Sequence, residues 1–209
     1  MKVDQTVQEK KEKIANMLFK VDAIEFGVFK LSSGKASPYY IDLRVIPSFP
    51  DAFREICDFY VEYIVGQIGS KSFDRIAGVP LTGIIFASQV AYNLKKPFLY
   101  VRKGVRLHGR ERRVEGILVS GDRVLLIDDL ATTGLTIKKA AEAVRAEGGI
   151  VTDAVVFLDR EEGARQLLGK NGISLHPVVK ISEIASLLYD SGVMDRESLK
   201  TILKQVKKR

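Results

Sequence analysis

The chain reads as an α/β protein with a mainly parallel sheet covered by helices on both faces. Three observations carry that reading. Apolar runs at 75–79, 98–101, 124–127, 151–158 and 173–179 recur with helical stretches between them. The run Val124 to Ile127 lacks polar alternation, as in a strand buried on both faces. Polar loops follow four of these runs, and ligands in such folds bind at the carboxyl ends of the strands.

Taken in order, residues 5–20 read as a helix whose buried face is Ile14, Ala15, Leu18 and Phe19. Residues 24–43 read as two short strands flanking a turn at 32–38. A long helix is expected from Pro50, a good first helical residue, to about 68, with Phe53, Ile56, Cys57, Tyr60, Val61 and Ile64 as its inner stripe. Strand 75–79 leads through 80–83 into a helix ending near 94. Strand 98–101 leads into a basic stretch. Strand 124–127 leads into an acidic and hydroxyl-rich loop, then a helix marked by Ile137, Ala140, Ala141 and Val144 and stopped by Gly148. Strand 151–158 precedes Asp159, Arg160, Glu161 and Glu162 and another helix. Strand 173–179 and two last helices close the chain, the second capped by Asp195. No internal repeat, linker or low-complexity segment interrupts this pattern, so residues 1–209 are expected to form one domain.

The chain's 209 residues leave room for a substantial core, and 46% hydrophobic with 28% charged residues is ordinary for a globular protein. No apolar run approaches the roughly 18 residues that a membrane span needs. The polar N-terminus lacks the apolar core of a secretory signal. The one cysteine, Cys57, cannot form an internal disulfide and sits in an apolar stripe, as a buried filler would. Together these features predict a cytoplasmic protein. A net charge of +7 could indicate nucleic acid, but six Lys and Arg against one Glu fall within residues 102–113. A cationic loop that compact fits a polyanionic small ligand better than a duplex.

The chemistry gathers at 124–137. Asp128 and Asp129 follow the apolar run, then Leu130 and the small or hydroxylated Ala131, Thr132, Thr133 and Gly134, then Leu135 and Thr136 at a helix start. Helix N-termini have N–H groups without intrahelical partners and a positive dipole end, so this loop is a ready phosphate site. Gly134 permits close backbone approach, and the threonines add hydroxyl donors. Carboxylates beside a phosphate cradle make sense if the ligand also bears hydroxyls. The site therefore asks for a ribose phosphate. An acidic pair ending a strand also occurs in nucleotide hydrolases and receiver domains, but no GxxxxGK[ST] segment is present.

Apolar strand, two aspartates, two variable residues and a threonine–glycine loop resemble the phosphoribosyl pyrophosphate (PRPP) motif of type I phosphoribosyltransferases. With FGVFKLSSGKASPYYIDLR, AGVPLTGI, VRKGVRLHGRERRVEG and VVFLDREEG in order, residues 15–205 resemble the orotate phosphoribosyltransferases, especially the transferase half of UMP synthase. The resemblance implies the type I fold, with residues 1–45 as a small hood over the substrate. It implies Mg²⁺-dependent transfer of phosphoribose from PRPP to orotate, giving orotidine 5′-monophosphate and pyrophosphate, in pyrimidine biosynthesis.

On this resemblance Asp128 and Asp129 hold the ribose hydroxyls, and Leu130 through Thr136 surround the 5′-phosphate, with Thr132 also near orotate. Leu81, Thr82 and Gly83 cradle the pyrophosphate, in a loop where the family often has a non-proline cis peptide; Pro80–Leu81 is the candidate. Arg102, Lys103, Arg106 and His108 match the family's mobile catalytic loop. That loop is expected to reach the partner's site in a homodimer, with neither nucleic acid nor membrane as partner. Lys103, Arg106, His108, Asp128 and Asp129 are the catalytic candidates. Arg160, Tyr40, Ile41 and Ser32 match orotate-binding positions. Mg²⁺ is expected on pyrophosphate and ribose oxygens, with no protein metal site.

Three positions depart from the family pattern. Ser32 and Arg106 stand where lysine is common, and Thr82 where bacterial members often have lysine. Transfer to another base and a catalytically inactive PRPP-sensing regulator are the alternatives. The DREEG and SPYYIDL segments favour orotate over a purine, and His108 favours catalysis.

Overall fold

The computed structural model describes residues 2–30, 36–104 and 112–207, with backbone alone for residues 2–7, 30, 36 and 207. Two compact units result: Met1–Arg54 with Val179–Arg209, and Glu55–Val178.

In the first unit, helix α1 (Lys2–Lys20) precedes an antiparallel hairpin of β1 (Ile24–Lys30) and β2 (Ala36–Ile41). A 3₁₀ helix follows at Leu43–Ser48, started by Asp42, whose carboxylate accepts from the Arg44 N–H at 3.0 Å. Helices α6 (Ile181–Asp190) and α7 (Arg196–Lys207) complete this unit. Glu183 ties α6 to α1 through an ion pair with Lys11 at 2.7 Å. Asp195 caps α7 as expected, accepting from the Ser198 N–H at 2.9 Å. The buried stripe of α1 is Ile14, Ala15 and Leu18, but Phe19 is 40% exposed and stacks on Phe26 instead. No sequence pattern marks the grouping of the hairpin with the C-terminal helices, because contacts between chain ends leave no periodicity.

The second unit is built on the sheet. Helix α2 (Pro50–Tyr63) starts at the predicted proline and ends in a π-helical turn, Ile64–Ile68. Ile56, Cys57, Tyr60 and Ile64 are its buried stripe, while Phe53 and Val61 are half-buried. Burial raises the Cys57 thiol pKa to about 12, which makes it a packed hydrophobe rather than a nucleophile. Next come β3 (Arg75–Gly78), α3 (Thr82–Asn93), β4 (Phe98–Val101), β5 (Val114–Glu115) and β6 (Val124–Ala131). Helix α4 (Leu135–Ala146), β7 (Asp153–Asp159), α5 (Ala164–Gly169) and β8 (Ser174–Lys180) follow.

The sheet order is β5-β4-β3-β6-β7-β8, parallel from β4 through β7 with β5 antiparallel at one edge. Strand β5 was not expected; at two residues it is too short to show a pattern, and it exists through pairing of Val101 with Val114. Strand β6 runs four residues beyond the predicted end at Ile127. Its ladder with β7 continues through Leu130–Leu158 and Ala131–Asp159, so the acidic pair lies within the strand. Backbone pairing there outweighs the low strand preference of aspartate.

Helix α3 packs closely on β3 because Gly78 has no side chain. A Cβ there would lie 2.6 Å from the Ile84 Cα, a backbone atom that cannot rotate away. Gly78→Ala should therefore cost about 1–3 kcal/mol, as overpacking of a core does. Urea unfolding of the two proteins checks this, with a lower midpoint and an unchanged slope expected.

Candidate active site

The loops after β3, β4, β6 and β7 all belong to the second unit. The first begins at Val79, whose N–H donates to the Ile127 carbonyl at 2.9 Å and so holds the loop on β6. The Pro80–Leu81 peptide is cis, as the resemblance implied. Thr82 and Gly83 open α3, and Gly83 lies directly on the acidic strand end. A Cβ at Gly83 would sit 2.6 Å from Asp128 Oδ1 and 2.8 Å from both Asp128 Cα and the Ile127 carbonyl oxygen. Glycine is thus required there for contact, not for backbone conformation.

Asp128 is only 6% exposed. Its Oδ1 accepts from the Asp129 N–H at 3.0 Å, and its main-chain carbonyl accepts from the Tyr60 hydroxyl at 2.6 Å. Loss of hydration by burial, and next the adjacent Asp129 charge, push the Asp128 carboxyl well above the usual range. Asp129 is half-buried beside it.

Past Ala131, which is buried, Thr132 is half-buried and Thr133 exposed, while Leu130 is half-buried. Gly134 takes φ +81° as the residue before α4, which glycine adopts without penalty. Behind it Ala164 closes the space, 3.2 Å from where a Cβ would stand. Leu135 and Thr136 are exposed in the first turn of α4, where N–H groups lack intrahelical acceptors. A cleft of about 280 Å³ is lined by Pro80, Lys103, Arg113, Leu135, Thr136 and Lys139, among others. The loop after β3, the start of the basic stretch and the start of α4 therefore share one opening.

The basic stretch is anchored at both ends. The Arg102 N–H donates to the Arg113 carbonyl at 2.8 Å, and Glu147 accepts from the Arg113 and Val114 N–H groups, each at 3.0 Å. The Arg102 guanidinium pairs with Glu115 at 3.4 Å, and Lys103 is exposed. Arg106 and His108 lie outside the described residues, as does Ser32.

Arg160 is no surface residue. It is 6% exposed, its Nη2 lies 3.1 Å from Glu162 Oε1, and its N–H donates to the Ala131 carbonyl at 2.9 Å. That bond places Arg160 beside the threonine loop. Tyr40 and Ile41 belong to the other unit: Ile41 is buried opposite Ile24, and the Tyr40 hydroxyl accepts from Arg44 at 3.1 Å.

Residues 50–174 match the phosphoribosyl transferase domain. The chain is 42% identical over 180 residues to the orotate phosphoribosyltransferase of Cenarchaeum symbiosum, covering 86% of this chain and 90% of that one. It is 45% identical over 176 residues to the Sulfolobus acidocaldarius orotate phosphoribosyltransferase, covering 84% and 87%. The chain belongs to the orotate phosphoribosyltransferases. Among solved structures, that of the Aeropyrum pernix orotate phosphoribosyltransferase superposes with a TM-score of 0.76 at 35% identity, covering 87% of this chain and 99% of that one. Leishmania donovani UMP synthase gives 0.83 at 31% identity, covering 95% of this chain but 42% of the longer one. The type I fold read from the sequence is therefore the fold of this transferase.

Sequence reasoning passed over several residues of this transferase's candidate site. Tyr60 was placed in an apolar stripe, although a tyrosine among aliphatic residues is itself a signal, since its buried hydroxyl needs an acceptor. Glu162 pairs with Arg160, and Lys139 lines the cleft, but an exposed helical lysine carries no sequence pattern. His176 lies away from these loops, bonded to Asp153 at 2.7 Å.

The raised Asp128 pKa has a direct consequence for stability. The folded protein keeps a proton that the unfolded chain releases near pH 4, so stability falls as pH rises from there through the folded value. Asn cannot ionise, yet its amide oxygen can still accept from the Asp129 N–H. Asp128→Asn should raise the melting temperature at pH 8, with the gain shrinking toward pH 4, in thermal unfolding followed across that range.

Proposed function

We infer that the protein transfers the phosphoribosyl group of PRPP to orotate, giving orotidine 5′-monophosphate and pyrophosphate in pyrimidine biosynthesis. One observation carries the reading: the Arg160 N–H donates to the Ala131 carbonyl, at the end of the strand that holds the acidic pair. A cation for a planar carboxylate thus stands beside a ribose-phosphate site.

In this reading Asp129, with Asp128, accepts the ribose hydroxyls, and the N–H groups and hydroxyls from Ala131 to Thr136 take the 5′-phosphate. Leu81, Thr82 and Gly83 offer backbone donors to the pyrophosphate. Displacement at C1 builds positive charge on the sugar and negative charge on the leaving group. Rate then depends on alignment and on fixed charges around the pyrophosphate, from Arg102, Lys103, Arg106 and His108. Arg106 serves as a cation, because guanidinium does not release a proton at working pH and binds phosphate oxygens at two points. Thr132 and Arg160 orient orotate. For Arg160 this means exchanging some of its contact with Glu162 for the orotate carboxylate.

The site's donors are hard carboxylate oxygens, which suit Mg²⁺ better than a softer metal. When bound, Mg²⁺ would supply charge neutralisation to the leaving group. No helix among the described residues is long and apolar enough to cross a membrane. The reading places the enzyme in the cytoplasm, as a homodimer in which the basic stretch completes the neighbouring site.

Two experiments test this function. Loss of orotate absorbance with PRPP should require Mg²⁺, and adenine, hypoxanthine and uracil should not replace orotate. Equal turnover of a purine would overturn the assignment. For the shared site, mixed Arg106→Ala and Asp128→Asn protomers should recover about a quarter of wild-type activity. Half of a statistical mixture is heterodimer, and each heterodimer has one intact site of two. No recovery in verified heterodimers would show that each site comes from one chain.

A further inference from the structure

Tyr60 is the one polar group in the buried stripe of α2, and it is completely buried. Its ring is wedged between Phe86 of α3 and Phe157 of β7, with centroids 6.0 and 5.7 Å away. Its hydroxyl donates to the main-chain carbonyl of Asp128 at 2.6 Å and also meets the Phe157 backbone.

That carbonyl belongs to the peptide joining Asp128 to Asp129. The N–H of the same peptide donates to Asp128 Oδ1 at 3.0 Å. The peptide plane is therefore held at both ends, by Tyr60 on the carbonyl and by the Asp128 carboxyl on the N–H. The orientation of this plane sets the directions in which both carboxyl side chains leave the strand. On its other side Asp128 is stopped by Gly83, which prevents movement toward α3 but does not fix rotation.

We propose that Tyr60 is a positioning residue for PRPP: its buried hydroxyl holds the Asp128–Asp129 peptide so that the carboxyl groups meet the ribose hydroxyls. It touches no substrate and acts through the backbone. Its hydroxyl stays a donor at any working pH, because burial, and then the Asp129 and Asp128 charges, push its pKa well up. The proposal rests on the reading of the acidic pair as the ribose site.

The test compares steady-state kinetics of wild type and Tyr60→Phe, both assayed well below their melting temperatures. Phenylalanine keeps the ring and its packing and removes one oxygen. The expected result is a KM for PRPP raised about three- to tenfold, with the KM for orotate and kcat within about twofold of wild type. Para-aminophenylalanine at position 60, which restores a donor on the same ring, should return the PRPP KM to near the wild-type value. Leu175→Ala, a core change beside the opposite end of β7, should lower the melting temperature and leave both KM values unchanged.

An unchanged PRPP KM in Tyr60→Phe would overturn the proposal, as would equal rises in both KM values. Should Tyr60→Phe fail to fold, the amino variant alone decides: a wild-type PRPP KM supports a donor requirement, and a raised one refutes it. Failure of the underlying reading looks different, because wild type itself would then not consume orotate with PRPP.

Discussion

Two neighbouring carboxyl groups held in the wall of a buried strand are the constraint on which the rest of this structure depends. Asp128 loses almost all its hydration and faces the charge of Asp129. Each unit of upward pKa shift represents roughly 1.4 kcal/mol of disfavour for the charged form. A fold can retain such a group only where the backbone leaves it no alternative position. Here α3 abuts it through Gly83, α2 grips its carbonyl through Tyr60, and β7 pairs with the strand on either side. The cost is local, and the apolar run from Val124 to Ile127, all buried at the centre of the sheet, offsets it.

The same constraint explains the tight contacts around β6. Glycine at 78 and 83 lets α3 lie against β3 and against the acidic residues, and glycine at 134 turns the chain into α4. Once these elements approach so closely, the loop after β3 and the start of α4 face a common cleft. Their donors are aimed before any ligand arrives. Binding then needs little reorganisation, which is how a positioned set of dipoles stabilises charge developing in a reaction. A pair disfavoured in the free protein is relieved by any hydrogen-bond donor that reaches it.

The basic stretch follows another logic. Its cations repel one another, and its described ends are held by neutral backbone pairing and by two acids. Glu115 meets Arg102, and Glu147 accepts the Arg113 and Val114 N–H groups. Fixed roots let a strongly charged segment stay attached to a sheet edge that it could not itself stabilise.

The sequence by itself determined the alternation of strands and helices, the carboxyl-edge loops and the identity of most of the candidate chemistry. Those features are written in local patterns: apolar runs, caps and the spacing of aspartates, threonines and glycine. The cis peptide at Pro80–Leu81 was implied by the family resemblance and not by any local pattern. Tertiary structure decided what local pattern cannot express. The acidic pair lies inside β6 because β7 runs alongside, and Val114–Glu115 is a strand because β4 supplies a partner. Arg160 is buried against Glu162 although its neighbours in sequence are charged. Tyr60 and Asp128, sixty-eight residues apart, meet only when α2 packs on the sheet. Periodicity shows which side of an element is buried, but a hydrogen bond between elements depends on where both come to rest.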